Sequence, residues 1–305
     1  MKVLSVISAV LLATTTTAFA HHINKTGHYQ PIGNEAQKEG HWNAWNKDIP
    51  VNDWSFNIVD TVSSKGKLSQ RFELRNGDCT VRPQPNHDVN WGCYTHRERA
   101  EVVGKRFHPG SDQYWGFSVM INDEWKTSEK NHCTSIWQIK QAEKVNQSEQ
   151  PQAKSGSYFG GHYIGSHSVV AGYVCGEKVG LKFWKTGWDE GESKFTGWVR
   201  NLFIPIADLN DIRGKWNDIV IHWDTTDYKN EYSNLEIFVN GYKVGNWENI
   251  TTKFFPEDYF FKYGPYRSYM KQHGVISDTQ VIYFDEMRFG NSYESVTPEN
   301  KKAID

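Results

Sequence analysis

Short runs in which apolar and polar residues alternate recur along the chain, with turn residues between them. They include "YWGFSVMI" (114–121), "TSIWQIKQ" (134–141), "VGLKFWK" (179–185), "WNDIVIHW" (216–223), "LEIFVNG" (235–241) and "VIYFDEMRFG" (281–290). A period of two puts successive side chains on opposite faces, so each run predicts a half-buried β-strand. In "LEIFVNGYKVG", Leu235, Ile237 and Val239 share one face, and Asn240-Gly241 predicts a tight hairpin turn. Helical periodicity is nearly absent; only "IPIADLND" (204–211) reads as a helical turn. Residues 142–157 are polar and rich in Gln, Lys and Ser, the pattern of a mobile surface loop.

The start of the chain differs from everything after it. Met1-Lys2 is followed by an apolar run from Val3 to Leu12, then a Thr-rich stretch ending "AFA". This is the pattern of an export signal with cleavage after Ala20. The run is too short to span a bilayer, and no later segment is long enough to try. A secreted or periplasmic protein without a membrane anchor is expected. No internal repeat or Pro/Gly/Ser-rich linker divides residues 21–305. Many short antiparallel strands in one domain of this size predict an all-β fold, a β-sandwich jelly roll with a concave sheet open to a polymer.

Composition adds a ligand class. The chain has 13 Trp, 15 Tyr and 16 Phe, which suits a sandwich core and also suits stacking on sugar rings. Its formal net charge of -2 gives no basic surplus for nucleic acid. A monomer is expected. Four cysteines in an exported chain predict two disulfides, Cys79–Cys93 and Cys133–Cys175; the absence of Cys-x-x-Cys argues against zinc.

Four stretches carry polar residues where a core strand would be apolar. "RFELRNGDC" alternates Arg71, Glu73 and Arg75. "HRERAEV" places Arg97, Arg99 and Glu101 on one face. "WQIKQ" does the same with Gln138 and Lys140. "FFKYGPYRSYM" gathers Lys262, Tyr263, Tyr266, Arg267 and Tyr269 around Gly264-Pro265, where a strand should break. A salt-bridged surface strand explains any one of them, but less readily all four.

Together they resemble jelly-roll polysaccharide lyases. "RERAE", "WQIK" and "FFKYGPYRS" are similar to the three-motif order of alginate lyases. "RFELRNGDC", "GKWNDIVIHW" and "FKYGPYR" are nearer to the heparin lyase I and glucuronan lyase group. The resemblance covers roughly residues 70–290. It implies β-elimination on a uronate polymer: glucuronan, a glycosaminoglycan or alginate. Motif matching places Tyr266 on the catalytic tyrosine, Gln138 on the carboxylate-binding glutamine and Arg99 on the arginine. Arg71, Arg75, Arg97, Lys262 and Arg267 would bind the acidic substrate.

That chemistry asks for these residue types. Donors such as Gln and Arg must stabilise the enolate that forms when the C5 proton leaves. A base takes the proton and an acid protonates the departing oxygen. Tyrosine can do either, helped by cationic neighbours such as Lys262 and Arg267, and the Gly-Pro break would bend the strand to present Tyr266. The alginate-type pattern has His two residues after the Gln, where this chain has Lys140. The base is therefore Lys140, Tyr266 itself, or a His from another strand: His132, His162 or His222. His222, within "IVIHW", also reads as a satisfied structural histidine. His162, in "YFGGHYIGSH", is harder to place in a core. His87, His96 and His108 read as loop residues.

No cofactor is required by this chemistry. A structural calcium is the metal to consider, with Asp285 in "YFDEMRFG" as an oxygen ligand; an ordinary edge carboxylate is the alternative. Two rival functions remain. A retaining glucanase needs two carboxylates about 5–5.5 Å apart, and no Glu-x-Asp-x-Glu run is present; "WDEGES" (188–193) is too rich in Gly for a strand. A non-catalytic carbohydrate-binding domain would share the fold and the aromatics without needing the Arg, Gln and Tyr set.

Overall fold

The alternating runs build two antiparallel sheets that face each other across an aromatic core. The structure, a computed structural model, describes residues 52–78, 97–107, 110–127, 132–141, 168–189, 194–226, 232–251, 259–268, 270 and 277–298, with strand pairings at 22–23, 28–30, 44–48, 157–159 and 162–164. In chain order the strands are β1 (His22–Ile23), β2 (His28–Gln30), β3 (Ala44–Asp48), β4 (Phe56–Val59), β5 (Ser69–Leu74), β6 (Glu98–Arg99) and β7 (Glu101–Phe107). They continue with β8 (Asp112–Ile121), β9 (Thr134–Gln141), β10 (Ser157–Phe159), β11 (His162–Ile164), β12 (Ser168–Cys175), β13 (Lys178–Asp189) and β14 (Lys194–Asp208). Then follow β15 (Asn217–Asp224), β16 (Tyr232–Val239), β17 (Tyr242–Thr251), β18 (Tyr259–Arg267) and β19 (Gln280–Gly290). Two single helical turns, α1 (Leu209–Ile212) and α2 (Tyr293–Val296), interrupt them.

The ten-stranded sheet runs β1-β2-β3-β7-β18-β9-β12-β13-β14, with β6 also pairing β18; the seven-stranded sheet runs β17-β16-β15-β8-β19-β5-β4. This is the expected β-sandwich jelly roll. Each of the six alternating runs falls in a strand apart from Trp216 and the Asn240-Gly241 turn, while "IPIADLND" is mostly the end of β14 and only its last residues enter α1. The hairpin forms as the sequence predicts. Val239 pairs with Tyr242, and Asn240 and Gly241 both have positive φ, 49° and 82°. Asn240 also holds the neighbouring strand, its Oδ1 accepting the Asp218 N–H at 2.8 Å.

Inward-facing side chains of both sheets interdigitate. Phe72 and Phe284 of one sheet meet Tyr263 of the other at 5.6 and 4.9 Å between ring centroids, and Trp115 stacks on Phe261 at 5.6 Å. Each buried aromatic or aliphatic chain of this kind contributes about 1.5–3 kcal/mol. The core therefore fixes which face of β9, β12, β13 and β18 points outward.

Cys133 and Cys175 form a disulfide. It ties the start of β9 to the end of β12, just beyond the pair Thr134–Val174. Cys79 and Cys93, residues 1–20 and the 142–156 stretch lie outside the described residues. Thiol titration of the unreduced, denatured protein should find no free thiol. Two reactive thiols would remove the Cys79–Cys93 assignment and leave the other bridge standing.

Candidate active site

The outer face of the ten-stranded sheet is where the core pattern breaks. On β18, Tyr259, Phe261 and Tyr263 are buried in the core, so Lys262 and Tyr266 project to the other side. Gly264-Pro265 does not end this strand. Tyr263 pairs with Trp137, and the next pair is Tyr266 with Ser135, so β18 spends one extra residue in a bulge. Gly264 has φ +110°, and a Cβ there would lie 2.2 Å from the Ala100 carbonyl oxygen. Pro265 has no N–H to offer, but its carbonyl accepts the Ala100 N–H at 3.0 Å. The two residues thus let the strand kink while keeping its edge contact to the segment that carries Arg99.

A second irregularity matters as much. Gly172 pairs with Trp137 and Tyr173 pairs with Ser135, so Ile136 is an extra residue on β9. Ile136, Trp137 and Ile139 all belong to the core. The bulge reverses the alternation, and Ser135 emerges on the same outer face as Gln138. Two rows result. One runs Tyr266, Ser135, Tyr173, Gly180 across β18, β9, β12 and β13. The other runs Lys262, Gln138, Ala171, Lys182 across the same strands.

Glu101 organises the second row from β7. It is 0 % exposed. Lys262 Nζ donates to its Oε2 at 2.8 Å, Gln138 Nε2 donates to its Oε1 at 2.5 Å, and Arg99 Nη1 stands 3.8 Å away. Arg99 also places its guanidinium 4.6 Å above the centre of the Tyr266 ring, a cation–π contact. Tyr173 lies close by. Burial, and then electrostatic interaction with Tyr266 and Glu101, raise its pKa and keep its hydroxyl protonated.

The structure therefore brings Tyr266, Gln138, Arg99 and Lys262 together, with Lys140 on the same face two residues beyond Gln138. Lys262 differs from expectation in one respect. It is 1 % exposed beneath the surface and is engaged by Glu101, so it supports Gln138 instead of reaching out to substrate. Arg267 is a larger departure. It follows Tyr266 and so points inward, fully buried, pairing with Glu98 at 2.6 Å and donating to the Arg75 carbonyl at 2.9 Å. Arg71 and Arg75 lie on and just beyond β5 of the other sheet, and both pair with Glu73. The strand alternation that suggested a binding row there is a salt-bridged face of the seven-stranded sheet. Arg97 is half-buried immediately before β6.

The histidines separate clearly. His222 is in β15, held between Glu236 Oε2 at 2.7 Å and Asp112 Oδ1 at 2.6 Å and stacked on Tyr114. It is a satisfied structural group of the other sheet. His162 is in β11, which pairs only with β10 in a separate two-stranded sheet; its side chain lies outside the described residues. His132 directly precedes the disulfide.

Asp285 is buried on β19. Its Oδ2 accepts the Ser64 and Lys65 N–H groups at 2.7 and 3.2 Å, and its Oδ1 accepts the Glu286 N–H at 2.7 Å. Burial, with the Glu286 charge, pushes its pKa up to about 7 against the opposing pull of these amides. The surroundings are N–H donors and not oxygen ligands, so they do not fit a calcium ion. No group of three or more His, Cys, Asp or Glu side chains suited to a metal occurs among the described residues.

Motif matching missed Ser135, Tyr173 and Lys182, and it did not give Glu101 a role. Glu101 was visible on the Arg99 face of "HRERAEV". The other three depend on bulges and on strand neighbours far apart in sequence.

Comparison with known proteins places the fold and the family. No curated protein matches the sequence. Among solved structures, an endo-β-1,4-glucuronan lyase from the fungus Trichoderma reesei superposes with a TM-score of 0.57 at 17% identity, covering 83% of this chain and 98% of that one. An alginate lyase of polysaccharide lyase family 7 gives a TM-score of 0.46 at 10% identity, covering 82% and 93%. Residues 33–288 match the family model described as polysaccharide lyase. That span contains both bulges, the Glu101 cluster and Tyr266, and the chain belongs to the polysaccharide lyase family.

Proposed function

We propose that this lyase acts on a uronate polymer by β-elimination, with Tyr266 moving the proton. The observation that carries the reading is the Arg99–Tyr266 contact beside a Gln138 held by buried Glu101. A uronate carboxylate set against Arg99 and the remaining N–H of Gln138 would have its enolate stabilised as the C5 proton leaves. In this scheme the Tyr266 oxygen, on the ring beneath the Arg99 guanidinium, acts as a phenolate base and takes that proton. The C5 electron pair forms the C4=C5 double bond, the C4–O4 bond breaks, and the Tyr266 hydroxyl returns the proton to O4. Proton and electrons balance within the site, and the scheme calls on no cofactor.

Arg99, Lys140 and Lys182 lie on this part of the face, with Lys262 beneath it paired to Glu101. A positive field of this kind draws in an acidic polymer. Export follows from the segment before Ala20 and is in keeping with the Cys133–Cys175 disulfide.

A panel of glucuronan, glycosaminoglycans and alginate tests the reading, with glucuronan first because of the fold likeness. Ultraviolet absorbance of unsaturated uronate ends should grow on at least one polymer. New reducing ends without that absorbance would mean hydrolysis. Binding without new ends would mean a carbohydrate-binding domain.

A further inference from the structure

The outer face holds a cation that the elimination scheme leaves unused. Lys182 ends the row that runs from Lys262 through Gln138 and Ala171. Between Gln138 and Lys182 stands only the methyl group of Ala171, and Gly180, two residues earlier on β13, faces Tyr173. No bulky side chain stands in that row between Gln138 and Lys182. The Lys182 ammonium sits 4.5 Å above the centre of the Tyr173 ring.

Three other lysines of the two sheets have a carboxylate. Lys262 has Glu101, Lys178 has Asp208 and Lys243 has Glu236. Among the described residues no carboxylate pairs with Lys182, and burial alone acts on it, lowering its pKa. A half-buried ammonium resting on an aromatic face and lacking a counter-charge is a receptor for an anion from outside. Strands lie about 4.8 Å apart, so the backbones at Gln138 and Lys182 are separated by two steps, about 10 Å.

We propose that Lys182, seated on Tyr173, binds the carboxylate of the sugar next to the one cleaved at Tyr266, and so selects for consecutive uronates. This rests on the lyase reading above and adds a subsite to it.

The test uses the full-length protein with Lys182→Met, which keeps the stem over Tyr173, and Lys182→Arg, which keeps the charge. On a homopolymer of uronate, Lys182→Met should lower kcat/KM about tenfold through KM, the usual scale for losing one charge-assisted hydrogen bond. Lys182→Arg should recover most of it. On the same polymer after partial reduction of its carboxyls to alcohols, sequencing of the products should show wild type cutting beside uronates and Lys182→Met losing that preference. An unchanged KM, a fall confined to kcat, or an unchanged cleavage pattern would each overturn the proposal. Wild type that releases no unsaturated product from any uronate polymer would instead overturn the lyase scheme for uronates, so the two failures are distinguishable.

Discussion

Tyr266→Phe should lower turnover on a cleaved uronate polymer by about 10²–10⁴-fold, the range for loss of a general acid–base group. The ring stays, and with it the Arg99 contact and the strand pairing to Ser135 and Arg99. Thermal unfolding should therefore shift little. KM should also change little, because the hydroxyl is asked to move a proton and not to hold the chain. Tyr263→Phe makes the contrast. Its hydroxyl is buried in the core and donates to Gln70 Oε1 at 2.6 Å. Removing it strands a buried acceptor and should cost about 1–3 kcal/mol of stability with turnover nearly intact. The two variants thus separate by readout: one loses rate and keeps its fold, the other loses stability and keeps its rate. Full activity in Tyr266→Phe would move the proton transfer to another group, with Tyr173, in the same row, the next tyrosine to examine.

Much of this fold is written in local pattern. Period-two alternation found β8, β9, β13, β15, β16 and β19, and Asn240-Gly241 found its hairpin, because both signals are carried by neighbours in sequence. The candidate site was less legible. Tyr266, Gln138 and Arg99 were found through motif resemblance, and the structure brings them together. Arg267 went astray because alternation continues through a Gly-Pro pair that looked like a break: Tyr266 points out, so Arg267 must point in, where Glu98 receives it. Arg71 and Arg75 went astray because a sequence does not say which of two sheets a polar strand joins. Ser135 was hidden by the Ile136 bulge, which reverses inside and outside in the middle of an otherwise regular strand. Lys182 and Tyr173 had no local mark; their meaning comes from pairing β13 with β12 and β12 with β9. Glu101 stood in plain view among arginines, but only burial shows that it anchors Gln138 and Lys262.

Glu101→Ala should be the most damaging change to stability on this face. Lys262 is 1 % exposed, and its ammonium meets Glu101 at 2.8 Å. Removing the carboxylate leaves a buried cation without its partner, with Arg99 a second cation close by. Breaking one side of a buried pair costs about 3–5 kcal/mol, mostly because the surviving charge is stranded. Replacing both sides with apolar groups avoids that penalty. Glu101→Ala with Lys262→Met should accordingly be more stable than Glu101→Ala alone, as read from denaturant midpoints at constant slope. Activity should not return with stability. In both variants Gln138 has lost the acceptor that fixes its amide, so the rate should stay low even where the fold has recovered. A double variant that regains wild-type turnover would show that Glu101 serves only to neutralise Lys262. A double variant no more stable than Glu101→Ala would show that the buried charge on Lys262 is not what the carboxylate is there to balance.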